Sequence, residues 1–194
     1  MLMMRPHAGF SLIELMVSVA IIAILSAIAV PELRSMIQDS RIQAMAHNIL
    51  NGLQLARTEA IRRNLPVEFD LVPAGVAVDA TQVAAIIPNA TGQSWMVRVQ
   101  DPVNGAIFVE SKTSDQGGLD NVQVVGVASI TFNGLGANTM AAQAQYNLSY
   151  PNGGACATVA TPNVGLRCLR IQVSPGGQGR ICDPVVSVGD NRHC

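Results

Sequence analysis

Charge is scarce in this chain, and aromatic residues are scarcer. Asp, Glu, Lys and Arg make up 13% of the 194 residues and aromatics 4%; the charged share is about half of that in an ordinary soluble domain. A net charge of −1 gives no overall electrostatic footprint for nucleic acid. The sequence has no phosphate-cradling loop, no C-x₂-C pair and no repeat of useful length. Its histidines are His7 near the start, His47 in a helical stretch and His193 beside Arg192 in the tail. None stands with a Ser, Cys or carboxylate set suited to nucleophilic catalysis or metal binding. The expectation is therefore a protein with no catalytic residues, no metal and no cofactor.

What charge there is, is unevenly placed. Residues 64–166 carry Arg98 and Lys112 against seven acids, a net of −5, whereas residues 167–194 carry Arg167, Arg170, Arg180 and Arg192 against Asp183 and Asp190, a net of +2. Cysteine is equally localised. Cys156, Cys168, Cys182 and Cys194 all lie in the last forty residues, an even count downstream of an export-type segment, which favours two disulfides in an oxidising compartment.

The longest apolar run organises the rest. Gly9 to Pro31 has the length of one bilayer crossing, and Leu12–Val30 contains neither Gly nor Pro. The leader before it carries Arg5 and His7 and no acid, which retains that end in the cytoplasm. One carboxylate, Glu14, interrupts the run. Burying it ionised costs about 2.5–3.5 kcal/mol on the most lenient insertion scale, so it calls for a partner charge. Pro31 lacks an amide hydrogen and should bend the helix without ending it. Beyond it, Leu33, Ile37, Met45, Ile49, Leu53, Ala56 and Ala60 recur at three- and four-residue steps and define an apolar face. Asn64-Leu65-Pro66 stops the pattern. A helix from Phe10 to Arg63 would be about 80 Å long, too long for a single small domain to cover.

After Pro66 the period changes to two. Val67, Phe69 and Leu71 alternate with Glu68 and Asp70, which predicts a strand with one wet face. Trp95, Val97 and Val99 begin a second strand that turns at Asp101–Gly105 into Ala106–Glu110. Further strands are expected at Val122–Val125, Ser129–Phe132, Gln145–Tyr150, Cys168–Val173 and Gly179–Asp183; the stretch Pro73–Gly92 reads only as variable strand and loop. The predicted class is α+β: a long N-terminal helix followed by an antiparallel β-rich head of one or two sheets.

Gly9-Phe10-Ser-Leu-Ile-Glu14 and the run that follows resemble the class III signal of type IV pilins and type II secretion pseudopilins. The resemblance implies a prepilin peptidase cut between Gly9 and Phe10, N-methylation of Phe10, and a new amino group to pair with Glu14 in its own chain or in a neighbour, with Pro31 at the usual bend. It also implies the boundaries: 1–9 a leader, 10–63 the pilin helix with 10–31 crossing the inner membrane, 64–194 a periplasmic head. Ala56–Asn64, Ile130–Gly136, Arg167–Ile171 and Arg180–Pro184 are similar to the GspH/FimT group, and the Cys-Asp-Pro ending is closer to its pilus branch. A minor pilin that helps initiate or tip a type IV pilus with other pilins is the implied function. The alternatives are a FimT-like DNA-binding subunit and a GspH-like secretion pseudopilin. Some FimT-like proteins bind DNA through Gly-Arg-x-Arg; here the segment is Gly177-Gln178-Gly179-Arg180, with Gln178 in place of the first arginine, so DNA binding does not carry over intact.

The C-terminal hairpin can be laid out from period alone. A three-residue loop, Ser174–Gly176, would put Arg170 opposite Arg180 and Cys168 opposite Cys182, with Leu169, Ile171, Val173 and Ile181 inward. Two arginines so placed could clamp an anion, with Arg167 and Arg192 nearby, or simply be solvated or meet an acidic neighbouring pilin. Two disulfide pairings stay open: Cys156–Cys168 with Cys182–Cys194, or Cys168–Cys182 with Cys156–Cys194. The local pairing is preferred because it ties down an otherwise free C-terminus.

Overall fold

The computed structural model describes residues 11–73, 79–114, 121–150, 156–160 and 166–194, without the side chains of Pro31, Glu32 and Arg34. The leader, Gly9 and Phe10 lie outside the described residues. Among the described residues one helix, α1 (Leu12–Arg63, 52 residues), precedes nine strands. The chain divides into two compact units, Met1–Gln38 and Asp39–Cys194, so helical residues 39–63 belong with the strands.

Local chemistry sets both ends of α1. Ser11 is its N-cap: the Glu14 backbone N–H donates to Ser11 Oγ at 3.3 Å, satisfying one of the orphan donors of the first turn. At the other end Arg62 and Arg63 complement the helix dipole and both bond the Glu59 carboxylate, at 2.6 and 2.7 Å. Asn64 then adopts φ +52°, a left-handed conformation that asparagine tolerates, and Pro66 follows.

In the first unit, α1 exposes its apolar side chains throughout, from Leu12 at 78% to Ile37 at 44%. Leu33 is exposed as well, so Leu33 and Ile37 do not share the buried face expected of them. That face begins further on, with Ile42, Met45, Ala46, Ile49, Leu53, Ala56 and Ala60, all buried at helical spacing.

The second unit builds its core between this helical face and two antiparallel sheets. Sheet 1 has the order β4-β3-β1-β6, formed by β1 (Val67–Val72), β3 (Ser94–Asp101), β4 (Gly105–Lys112) and β6 (Ser129–Phe132). Sheet 2 has the order β2-β5-β7-β8-β9, formed by β2 (Thr91–Gly92), β5 (Gln123–Gly126), β7 (Ala144–Ser149), β8 (Leu169–Val173) and β9 (Gly179–Cys182). Phe69 sits at their junction, 5.8 Å from the Trp95 ring and edge-on to Tyr146 at 6.0 Å. Gly52 lets the helix approach this cluster. A Cβ there would stand 2.7 Å from Phe69 and 2.9 Å from the Trp95 ring. Asn48, one turn earlier, accepts the Trp95 Nε1–H at 2.8 Å.

The outer face of sheet 1 is not the wet face that alternation predicts. Asp70 is fully buried there, and Val72, Met96 and Val83 form a second apolar cluster with Ile86, Ala106 and Phe108. The cover comes from the 79–88 segment, which Arg98 fastens by donating to the Val83 carbonyl at 3.0 Å.

Candidate filament and ligand surfaces

Two surfaces follow from the expected site residues. The first is α1 before residue 39. Among the described residues it is the one helix long and apolar enough to cross a membrane, and Glu14 stands in its first turn. The Ser11–Glu14 cap was legible as an S-x-x-E box, a signal that the hydropathy reading passed over.

The second surface is the C-terminal hairpin, where the structure corrects the expected register. The β8–β9 connection has five residues, Ser174–Gln178, instead of three. Gly177 takes φ +76° and donates to the Ser174 carbonyl, while the Ser174 N–H reaches Gln178 O at 2.9 Å, so the loop closes two residues later. A Cβ on Gly177 would collide with the Gly136 carbonyl oxygen, and Arg57 Nε donates to that same oxygen at 3.1 Å. The Asn138 N–H donates to the Pro175 carbonyl at 3.0 Å, which ties the loop to the segment after β6. In the resulting register Arg170 faces Cys182 and Gln172 faces Arg180. The two arginines are diagonal neighbours, about 7–8 Å apart at the backbone, and not a directly opposed pair. Because the shift is by two, every side chain keeps its expected face.

The four arginines divide into two kinds. Arg167 pairs with Asp183 at 3.2 Å and Arg192 with Asp190 at 2.8 Å. Both line a cleft of about 270 Å³ that Gln43 and His47 of α1 also line. With two guanidiniums set against two carboxylates the cleft carries little net charge. Asp190 is held far down, at about 2, chiefly by hydrogen bonds from the Arg192 side chain and backbone. Arg170 and Arg180 instead bond amides: Arg170 Nε donates to Asn147 Oδ1 at 2.8 Å, and Arg180 donates through Nε and Nη2 to Gln172 Oε1 at 3.1 and 2.8 Å. The net +2 of the C-terminal segment therefore resides on Arg170 and Arg180, on the outer face of sheet 2. The four do not form one patch.

The disulfides join Cys156 to Cys168 and Cys182 to Cys194. The second returns the tail to β9, where the Cys194 carbonyl accepts a bond from Gln172 Nε2 at 3.3 Å.

A model of the prokaryotic N-terminal methylation motif matches residues 4–30, and a model of the type II transport protein GspH matches residues 45–177. The chain belongs to the GspH family. This is a family of structural, pilin-like proteins and not an enzyme family. The GspH-family chain is 28% identical over 104 residues to a fimbrial protein of Pseudomonas aeruginosa, a match spanning 54% of this chain and just under two thirds, 66%, of that protein. Its fold is similar to that of the type IV minor pilin FimU of P. aeruginosa, with TM-score 0.54 and 12% identity, covering 78% of this chain and 96% of FimU. The minor pseudopilin EpsH of the Vibrio cholerae type 2 secretion system aligns with TM-score 0.44 at 12% identity over 74% of this chain and 98% of its own.

Proposed function

We propose that this chain is a minor pilin of a type IV pilus. In this reading, prepilin peptidase cuts between Gly9 and Phe10 and Phe10 is methylated. Residues 10–31 hold the protein in the inner membrane with its head in the periplasm, and the same residues later pack against other pilins in the filament. The observation that carries it is the exposed apolar surface of α1 up to Ile37 with the single carboxylate Glu14 in its first turn, inside the methylation motif. Such a surface suits lipid before assembly and neighbouring helices after it, and a buried Glu14 would fix axial register by requiring a positive partner. The pilus is favoured over secretion by the fimbrial match and by the FimU-like fold. DNA binding is disfavoured by Gln178, and among the described residues the outer face of sheet 2 offers no aromatic side chain for base stacking.

Mass spectrometry of the mature protein should find an N-methylated Phe10 as the first residue. Glu14→Ala should be cut normally yet be missing from sheared filaments. A mature chain that begins at Met1 or after the apolar run, or a Glu14→Ala variant that enters filaments as well as the parent, would refute this reading.

A further inference from the structure

Acids are segregated between the two sheets of the head. The strands of sheet 1 contain Glu68, Asp70, Asp101 and Glu110, whereas the five strands of sheet 2 contain no Asp or Glu at all. The only charged residues in sheet 2 are Arg170 and Arg180. Strand pairing puts them in one field with Gln145, Asn147 and Gln172: Asn147 lies beside Arg170, and Gln145, Gln172 and Arg180 form a row across three strands. Gln145, Asn147 and Arg180 are exposed and Arg170 is half-exposed. Each guanidinium is oriented by an amide oxygen, which fixes its position without neutralising its charge.

We infer that this outer face of sheet 2 is the docking surface for the carboxylate-bearing head of a different, neighbouring filament subunit. The inference rests on the reading of the chain as a filament subunit and names the contact its head makes. Charge complementarity selects the occupant. Two oriented positive charges on diagonal positions of adjacent strands, whose backbones lie about 7–8 Å apart, suit acidic side chains at alternate positions of a facing strand, which repeat every ~6.6–6.8 Å. An arginine and amide field is also the composition of a polar protein contact that sets partner choice and register more than raw affinity. A second copy of this chain fits poorly. Among its described acids outside the first unit, Asp79 and Asp101 bond backbone N–H groups of their own turns through Oδ1, Glu59, Glu68, Asp70, Asp183 and Asp190 are ion-paired within the chain, and Asp39 and Glu110 stand on different elements, not at alternate positions of one strand.

The test uses the full chain in detergent micelles with two labelled probes, a poly-glutamate peptide and a duplex DNA oligonucleotide, followed by fluorescence anisotropy at low and physiological salt. Poly-glutamate should bind at low salt. Arg170→Gln/Arg180→Gln should weaken it about tenfold, as loss of two exposed ion pairs predicts. Arg170→Lys/Arg180→Lys should retain most of the binding, and Arg192→Gln, whose charge is already paired, should leave it unchanged. Equal binding by the Gln variant, or none by the parent, overturns the inference. Tighter binding of DNA than of poly-glutamate overturns it in favour of nucleic acid. Concentration-dependent self-association that the Gln variant abolishes overturns it in favour of a second copy. The assay needs no filament, so its failure leaves the pilin reading standing, whereas failure of the Glu14 experiment sinks that reading and, with it, the premise of this one.

Discussion

Arg98 Nε lies 2.9 Å from Asp70 Oδ2 and equally 2.9 Å from Glu68 Oε2, but its single N–H is directed at Glu68. Asp70 thus receives the positive charge of Arg98 without its N–H, and its other polar neighbour is Ser129, paired with it across β1 and β6. Burial outweighs the nearby charge and raises its carboxyl to about 6, with Ser129 and Arg98 opposing the shift and Glu68 adding to it.

That shift fixes the sign of a pH effect. A carboxyl whose folded pKa is raised binds more protons folded than unfolded, so its stabilising contribution is complete below about pH 4 and disappears as pH rises through about 6. The swing attributable to Asp70 is about 3 kcal/mol. Urea midpoints of the parent should fall between pH 4 and about 6.5 relative to those of Asp70→Asn. If the two curves are parallel across that window, Asp70 is not the group responsible.

Gly52→Ala tests the helix–sheet contact. Alanine is the better helix former by about 1 kcal/mol, yet here its methyl group would press on Phe69 and Trp95. We expect a net loss of ~1–3 kcal/mol, read by thermal unfolding followed through Trp95 fluorescence. A stabilised variant would mean that α1 can move off the aromatic pair at little cost.

Gly177→Ala should be worse, because a positive φ and an occupied Cβ position coincide there. The added methyl must displace the Gly136 carbonyl and, with it, the Arg57 bond. Backbone strain alone contributes about 1–3 kcal/mol. Limited proteolysis should find new cuts in the 174–178 loop while β1–β6 stay protected.

Cys182→Ser/Cys194→Ser should cost about 3 kcal/mol on the chain-entropy model for a loop of this size. The tail after Asp183 should become protease-sensitive, and Gln172 should lose its contact with Cys194. Poly-glutamate binding by Arg170 should survive, since Asn147 still orients it.

Periodicity carried the sequence reading where each element had one dry side. Ile49, Leu53 and Ala56 on α1, and Val67, Phe69 and Leu71 on β1, repeat at the spacing of their element and are buried. Asp70 escaped because its cover is the 79–88 segment, whose irregular pattern gave no hint that it packs on a sheet. Leu33 and Ile37 keep the helical period but are exposed among the described residues, so period alone assigned them to the same core. On the C-terminal hairpin, alternation fixed which side each arginine occupies, but loop length decides who faces whom. The Pro175 carbonyl accepts the Asn138 N–H and Gly177 lies against Gly136 and Arg57, residues far away in sequence that hold the longer loop.

The Gly52 contact has a mechanical consequence. A pull applied along α1 enters the head as shear between the helix and sheet 1, and the close fit of Gly52 under Phe69 and Trp95, with Asn48 bonded to Trp95, resists that sliding. Resistance to force is a matter of unfolding rate, so these contacts, with the buried face from Ile42 to Ala60, would slow the sliding of the helix under a pull. Both disulfides lie outside this load path, each closing a short loop within the last forty residues. The surface that carries Arg170 and Arg180 can therefore change in sequence without weakening the part that bears the strain.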